Sequence, residues 1–280
     1  MTVDHGQAQV FDVVEEDILA EIDEFLERGG TENVAAITIG QWAEPYEESS
    51  APIVAKLAEN AHRLKGLRAL TLGDIDPELC EISWIQQSDI TPLLTAFPDL
   101  EYLSIRGADG LSLTPLRHER LRTLRVESGG LHGSFVSSVA ACDFPALEHL
   151  ELWLGVERYG GNTTIADLAP ILSGERLPAL KHLGLQDSEQ QDEIAAAVAS
   201  APVVARLEEL DLSMGTLTDA GAEALLSGQP LSHLKVLDLH HNFLSEPMAA
   251  RLQKALPEVG VKLHARQRRR DDWFFVAVSE

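Results

Sequence analysis

The chain has 280 residues, of which 45% are hydrophobic and 24% are charged, so it is long enough to bury a sizeable core. It carries 45 acidic and 22 basic residues, and the resulting net charge of −23 argues against nucleic-acid binding and favours either solubility or a basic partner. The first residues lack the basic and apolar regions of a leader, and no apolar run is long enough for a membrane span. We therefore expect a cytoplasmic protein without membrane contact.

The spacing of the two cysteines does not indicate a metal or redox role for them. Cys80 and Cys142 are the only cysteines, and they lack the paired spacing of a zinc or redox site. Two buried free thiols are expected.

Residues 1–33 differ from the rest of the chain, because they carry ten acidic residues and one basic residue and lack its leucine pattern. From Asp17 onward, Ile18, Ile22, Phe25 and Leu26 fall on one helical face, and a pair of glycines at 29–30 ends the run. The segment is predicted to be an acidic helical cap over the first end of the leucine-patterned region. A detachable regulatory arm is the alternative.

Eight later segments share one pattern, with aliphatic residues at positions 1, 4 and 6. They begin at residues 34, 67, 100, 121, 147, 180, 207 and 234. The last two units agree best, because Leu207, Leu210, Leu212 and Leu217 recur 27 residues later as Leu234, Leu237, Leu239 and Leu244. Such a period indicates a repeat architecture in which each unit is one strand, one turn and one helix. A ninth strand is predicted 27 residues after Leu234, at Val261 and Leu263.

The spacing of these segments is irregular. The step from residue 100 to 121 is too short for a full helix, whereas three steps of 33 residues contain additional residues. Asp89 with Pro92, and Asp167 with Pro170, predict the first turns of two helices. Residues 73–92 and 153–162 are the most distinctive non-repeat segments. The hydrophobic residues of the first, Ile82, Trp84 and Ile85, are predicted to pack on the flank, with docking of a partner as the alternative.

The C-terminal residues again depart from the pattern. Residues 266–270 contain a dense run of arginines, which we interpret as a solvated turn rather than as a site for nucleic acid or anionic lipid. The hydrophobic run from Trp273 to Val278 predicts a strand that caps the exposed edge. The expected organisation is one structural domain with an N-terminal cap (1–33), a repeat array (34–264) and a C-terminal capping strand (265–280).

The pattern L-x-x-L-x-L-x-x-N-x-L, which is complete from Leu234 to Leu244 with Asn242 in its asparagine position, resembles that of leucine-rich repeat proteins of the ribonuclease-inhibitor-like type. The resemblance implies a right-handed α/β horseshoe with about eight or nine parallel strands on the concave face and helices on the convex face. Seven of the eight units lack the asparagine. The layout of the repeats, together with the 73–92 insertion and the 153–162 turn, is similar to that of a bacterial stand-alone branch of this family. The resemblance to this branch implies no established activity.

In this register, the side chains at positions 3, 5 and 7 face outward on the concave sheet. Asp211 and Asp238 then lie side by side, a costly arrangement that fold stability does not require. An acidic patch beside aromatic residues is typical of a surface that binds a basic protein. The predicted partner-binding residues are Tyr102, Arg106, Arg125, His149, Glu151, Trp153, His182, Glu209, Asp211, Asp238 and His240.

No motif for catalysis or nucleotide binding occurs in the sequence. We therefore expect a non-catalytic protein without a cofactor, which binds a partner protein on the concave face and its adjoining loops. One alternative is a permanently bound regulatory subunit of a biosynthetic enzyme. A less favoured alternative is a metal-binding enzyme that uses His149, His182, Glu151 and Glu209.

Overall fold

A computed structural model describes residues 7–12, 17–269 and 273–279. Its centre is an open sheet of ten parallel strands whose spatial order follows their order in the chain. The strands are β1 Gln7–Phe11, β2 Val34–Ile39, β3 Ala69–Leu72, β4 Tyr102–Arg106, β5 Thr123–Glu127, β6 His149–Gly155, β7 His182–Ser188, β8 Glu209–Asp211, β9 Val236–Asp238 and β10 Gly260–Lys262. The protein is therefore of the α/β class.

The residues at position 4 form one lateral row across the sheet. Leu70 pairs with Leu103, and the row continues through Leu124, Leu150, Leu183, Leu210 and Leu237. All these leucines are fully buried. Because alternate side chains of a strand point to opposite faces, this row fixes positions 3, 5 and 7 on the other face of the sheet. The predicted alignment of the eight central strands is confirmed.

Both ends of the sheet differ from the prediction. An additional strand, β1, lies beside β2, and its Phe11 is buried in the core. At the other end, the ninth predicted strand exists as β10, but Val261 pairs with Leu237 rather than with Leu234. This three-residue shift places Lys262 opposite Asp238.

Helices connect most of the strands. They are α1 Ile18–Glu27, α2 Ala51–Glu59, α3 Thr91–Ala96, α4 Gly133–Ala141, α5 Ile165–Ser173, α6 Gln191–Val198, α7 Asp219–Ser227 and α8 Glu246–Ala255. Residues 107–122, between β4 and β5, contain no helix, as their short spacing predicts. The predicted start of α5 was wrong, because Thr164 is its N-cap, Asp167 completes a capping box and Pro170 lies inside the helix.

Buried side-chain amides hold the turns that follow β7 and β9. Asn242 is fully buried, donates through Nδ2 to the carbonyl of Leu239 and accepts the N–H of Leu244. After β7, which lacks the asparagine, Gln191 binds the equivalent carbonyl of Leu185. A glutamine on the following helix therefore replaces the missing asparagine.

The two non-repeat segments meet at the rim of the sheet. Within residues 73–92, Ile82 and Ile85 are buried, which confirms their predicted packing, whereas Trp84 is 55% exposed. The Trp84 ring makes an edge contact with Tyr159 of the second segment, with ring centroids 6.4 Å apart. The insertion also pairs with the helix-free connection through the bridge between Gln86 and Asp109.

The C-terminal segment does not form the predicted capping strand. Apart from a bridge residue at Trp273, residues 273–279 are irregular and cross the ends of three strands. Phe275 accepts from His241 after β9, Ala277 donates to Met214 after β8, and Val278 donates to Asp187 at the end of β7. We call residues 273–279 the tail. It passes over the strand ends and does not extend the sheet edge.

The structure also describes the two cysteines, most of the predicted basic run and part of the predicted N-terminal cap. Both cysteines are buried and free, as expected. In the predicted basic run, Arg266 pairs with Glu246 and Arg269 lies over the ring of Phe274, while Arg270 is outside the described residues. Residues 1–6 and 13–16 of the predicted N-terminal cap are also outside them. Within the described chain, no helix has the length and apolarity needed to cross a membrane.

Candidate functional site

The side chains at positions 3, 5 and 7 of β4–β9 lie on the face of the sheet opposite the leucine core, and we call this surface the open face. All eleven predicted partner-binding residues belong to it. The structure separates them into a charged cluster on β4–β6, a histidine pair on β6 and β7, and a second charged cluster on β8–β10. The lateral register explains the grouping, because equivalent positions on adjacent strands are direct neighbours.

The charged cluster on β4–β6 is centred on Arg125. Its guanidinium binds Glu151 Oε1 at 3.0 Å and Glu127 Oε1 at 2.7 Å, and it lies 5.8 Å from the ring centre of Trp153. Trp153 Nε1 also donates to Glu151 Oε1, at 3.1 Å. Arg106 approaches the other oxygen of Glu127 at 3.8 Å. Two arginines and two carboxylates thus form one continuous network.

The burial of this network shifts its pKa values. Burial raises the pKa of Glu127, although Arg125 and Arg106 act to lower it. Burial also acts to raise the pKa of Glu151, but the hydrogen bond from His149 and the charge and hydrogen bond of Arg125 outweigh it and lower the pKa to about 2. Glu151 is therefore ionised at neutral pH, and its ion pair with Arg125 is largely withdrawn from water.

His149 and His182 form a stacked pair across β6 and β7. Their ring centroids are 3.8 Å apart and their planes differ by 6°. His149 Nε2 lies 3.2 Å from Glu151 Oε2, and His182 Nδ1 lies 3.2 Å from Glu209 Oε2. The remaining nitrogen of His182, Nε2, is buried and has no hydrogen-bond partner among the described residues. Burial lowers the pKa of His182, so the ring is neutral at pH 7.

The second charged cluster surrounds Asp238, which is only 5% exposed. Lys262 binds its Oδ2 and His240 binds its Oδ1, each at 2.8 Å. Burial acts to raise the pKa of Asp238, but these two partners outweigh burial and lower the pKa. Asp211, its lateral neighbour, has no such cation among the described residues, and burial together with the charges of Asp238 and Glu151 raises the pKa of Asp211 to about 6. The predicted acidic row is therefore partly neutralised.

Several residues of these clusters were missed in the sequence. Lys262 was missed because the predicted register of β10 was wrong by three residues. Glu127 occupies position 7 of β5 and therefore belongs to the open face. Its position beside Arg125, and opposite Arg106 of β4, could have been read from the sequence. Gln186, at position 7 of β7, is 4% exposed and leaves its Oε1 without a partner among the described residues.

Gly184, at position 5 of β7, is buried and lies between Glu151 and Asp211 on the open face. A Cβ atom at Gly184 would lie 3.1 Å from both Glu151 Cγ and Gln186 Oε1. These distances are shorter than most contacts of a Cβ atom, so Glu151 and Gln186 already fill the space beside Gly184.

Comparisons with known proteins give a fold and a relative. No protein-family model matches the chain, and no curated protein matches it. A search of solved structures finds a crystal structure of a Bacteroides fragilis protein, determined by the Northeast Structural Genomics Consortium, with a TM-score of 0.87 and 33% sequence identity. The similarity covers 97% of this chain and 77% of the B. fragilis chain. The chain therefore belongs to the same family as this Bacteroides fragilis protein.

Proposed function

We propose that the chain is a leucine-rich repeat protein of the ribonuclease-inhibitor-like type and acts as a non-catalytic scaffold that binds a partner protein. The partner occupies the open face, as the concave face of the horseshoe, together with the adjoining loops. The repeat assignment is supported by the chain-ordered strands and by the buried residues at positions 1, 4 and 6 of each unit.

The observation that carries the proposal is the network around Arg125 and Glu151. Burying ion pairs costs desolvation energy, and apolar residues of similar size stabilise a fold as well or better. The fold therefore gives no reason for two arginines, two glutamates and a tryptophan on this face. Fixed charges beside an aromatic ring are typical of the centre of a protein-binding surface, where arginine and tryptophan are enriched.

The adjoining rim provides an apolar anchor. Trp84 is 55% exposed, contacts Tyr159 at its edge and is oriented by the hydrogen bond from its Nε1 to Glu81. Exposed tryptophans with a fixed orientation lose little conformational entropy on binding. The insertion and the 153–162 turn thus extend the binding surface beyond the sheet.

The charge of the surface indicates the chemistry of the partner. The side chain of Glu209 is 47% exposed, and the loop around Trp84 has exposed acidic residues at positions 74, 76, 78 and 81. A partner segment with arginine or lysine residues complements these carboxylates. Since exposed charge pairs are screened by salt, we expect binding to weaken as the ionic strength rises.

The test is a quantitative pull-down from a native lysate of the source cells, at low and moderate salt, read by mass spectrometry. The variant combines Trp84→Ala with Glu209→Lys. The matched control combines Trp273→Ala with Glu193→Lys, which alters another exposed tryptophan and an exposed glutamate of α6. Asp238 is unsuitable for reversal because it is buried and paired with Lys262.

We expect the wild type and the control to retain the same protein, and the folded site variant to lose it. Retention by the site variant would contradict the proposal. A protein that stays bound at fixed stoichiometry at both salt concentrations would instead identify the permanent complex of a regulatory subunit.

A further inference from the structure

The histidine pair and Glu151 place three metal-binding side chains together on two adjacent strands. One ligand atom from each of His149, Glu151 and His182 lies within 4.8 Å of the other two. The three residues are at position 3 of β6, position 5 of β6 and position 3 of β7, and β6 and β7 pair in continuous register over this region. Rigid strands hold a constellation more tightly than loops do.

His182 has the arrangement expected of a metal ligand. A ligating histidine almost always donates its second ring N–H to a carboxylate or carbonyl, which fixes its tautomer. Here Nδ1 contacts Glu209 Oε2 at 3.2 Å, and because a carboxylate only accepts, Nδ1 carries the proton. The lone pair therefore lies on Nε2, which is buried and without a partner in the described chain. An unpaired buried acceptor is costly, and a metal ion would satisfy it.

Glu151 is supported in the same way. Arg125 Nε and Trp153 Nε1 both donate to its Oε1, at 3.0 and 3.1 Å. Its other oxygen, Oε2, faces His149 Nε2 at 3.2 Å. A metal ion would replace the proton between these two atoms, while Arg125 and Trp153 keep the carboxylate oriented. Two of the three ligands thus have supporting hydrogen bonds already in place.

We propose that His149, Glu151 and His182 bind one divalent transition-metal ion of the zinc class on the open face. Two imidazoles and one carboxylate are typical ligands of zinc sites that keep an open coordination position. This inference goes beyond the scaffold function and does not depend on a partner. The two rings now lie in parallel planes, so binding requires them to turn until both lone pairs point at the ion.

The chain contains an internal comparison for this site. His240 and His264 also stack, with centroids 4.8 Å apart and planes 2° apart, beside the carboxylate of Asp238. Lys262 binds the second oxygen of Asp238, as Arg125 binds that of Glu151. Among the described residues, however, neither His240 nor His264 has a buried ring nitrogen without a hydrogen-bond partner, whereas His182 does. Stacked histidines alone therefore do not make the proposed site.

The experiment is a calorimetric titration of the untagged, chelator-treated full chain with zinc chloride, together with cobalt chloride titrations followed by visible absorption. The variants are His182→Ala, His149→Ala and Glu209→Ala, and the control is His264→Ala. Thermal unfolding of each metal-free variant establishes that it is folded. His182→Gln serves as a second variant at the central position if His182→Ala does not fold.

We expect the wild type to bind one equivalent of zinc and to give a cobalt spectrum with imidazole ligation. The ligand variants should lose this binding, and Glu209→Ala should weaken it about 10- to 100-fold because the orienting carboxylate is removed. His264→Ala should bind like the wild type. Absence of zinc binding in the wild type, or equal affinity in the folded His182 variant, would overturn the proposal.

Discussion

The backbone N–H of Val278 donates a hydrogen bond of 2.9 Å to Asp187 Oδ1 across 91 positions of the chain. Asp187 is fully buried at the end of β7, and its Oδ2 has no partner among the described residues. Burial raises the pKa of Asp187 to about 8, although the backbone N–H groups of the tail act to lower it. The tail is therefore attached to a carboxyl group that is protonated over much of the physiological pH range.

The first prediction concerns the pH dependence that Asp187 imposes on stability. A folded-state pKa of about 8 exceeds the ordinary value of 3.8, so the folded state binds the proton more tightly. The protonated Asp187 stabilises the folded state fully below about pH 4, and this contribution is lost as the pH rises through about 8. We expect Asp187→Asn to unfold like the wild type at pH 4 and to be more stable by about 1–3 kcal/mol at pH 8.5.

Urea unfolding at both pH values measures this difference, with the exposed Asp109→Asn as control. The expected gain is smaller than the full pKa shift suggests, because local detachment of the tail rehydrates the carboxylate. An equal effect of Asp187→Asn at both pH values would show that Asp187 does not titrate in this way.

The second prediction concerns the packing of the tail. Val276 is 4% exposed, whereas its neighbour Ala277 is exposed. Burying a charge without a partner is costly, so Val276→Asp should detach the tail, while Ala277→Asp should not. Hydrogen exchange of the amides of Ala277 and Val278 measures the detachment, because these amides bind Met214 and Asp187. Similar protection in both variants would contradict this account.

The third prediction concerns Arg125. Arg125→Met leaves Glu127 and Glu151 with one cation fewer in a largely buried network. Since Arg125 is 36% exposed, we discount the cost of breaking a fully buried pair to about 1–3 kcal/mol. The exposed pair of Arg28 and Glu24 provides the control, and Arg28→Met should change stability by less than about 0.5 kcal/mol. Chemical unfolding at pH 7 compares the two variants.

The same network predicts a loss of stability in acid. The pKa of Glu151 is lowered from its ordinary value of 4.5 to about 2, so its contribution is present above pH 4.5 and is lost as the pH falls toward 2. Arg125→Met weakens the interactions that lower this pKa. The difference in unfolding free energy between the wild type and Arg125→Met should therefore shrink between pH 5 and pH 2. A difference that stays constant over this range would refute the assignment.

The fourth prediction concerns Gly155, at the end of β6. Its φ of +67° is unfavourable for other residues, and a Cβ atom would lie 2.0 Å from the carbonyl oxygen of Gly129. Gly155→Ala should lower the unfolding free energy by at least about 2 kcal/mol through backbone strain and overlap. Gly29→Ala, whose added Cβ would have no atom of the described residues within 4 Å, should stay within about 0.5 kcal/mol of the wild type. Thermal unfolding of both variants is the measurement.

The central strands were predictable because a fixed spacing of leucines sets both the strand and its register. The same register predicts lateral pairs such as Arg125 with Glu151, since both occupy position 5. β1 was missed because QAQVF carries no leucine, and its pairing with β2 depends on the tertiary fold. The start of α5 was misplaced because Thr164 and Asp167 are both residue types that favour an N-cap.

The path of the tail was not predictable from its own sequence. Hydrophobic residues from Trp273 to Val278 are compatible with an edge strand, and nothing local indicates which strand ends they contact. The path of the tail depends on the left-handed backbone at Asp187, Met214 and His241. It turns the chain at or just beyond the ends of β7, β8 and β9 and presents backbone or side-chain groups to the tail.

The connection without a helix, residues 107–122, has a consequence for cooperativity. The helix layer is interrupted between α3 and α4, so the units of β3, β4 and β5 are joined there by the sheet and by short bridges such as Gln86 with Asp109 and Arg117 with Asp143. Nearest-neighbour coupling determines whether a repeat array unfolds as one unit. We therefore expect the array to unfold most readily at this interruption, which separates the part that carries the insertion from the part that carries the histidine pair and the tail.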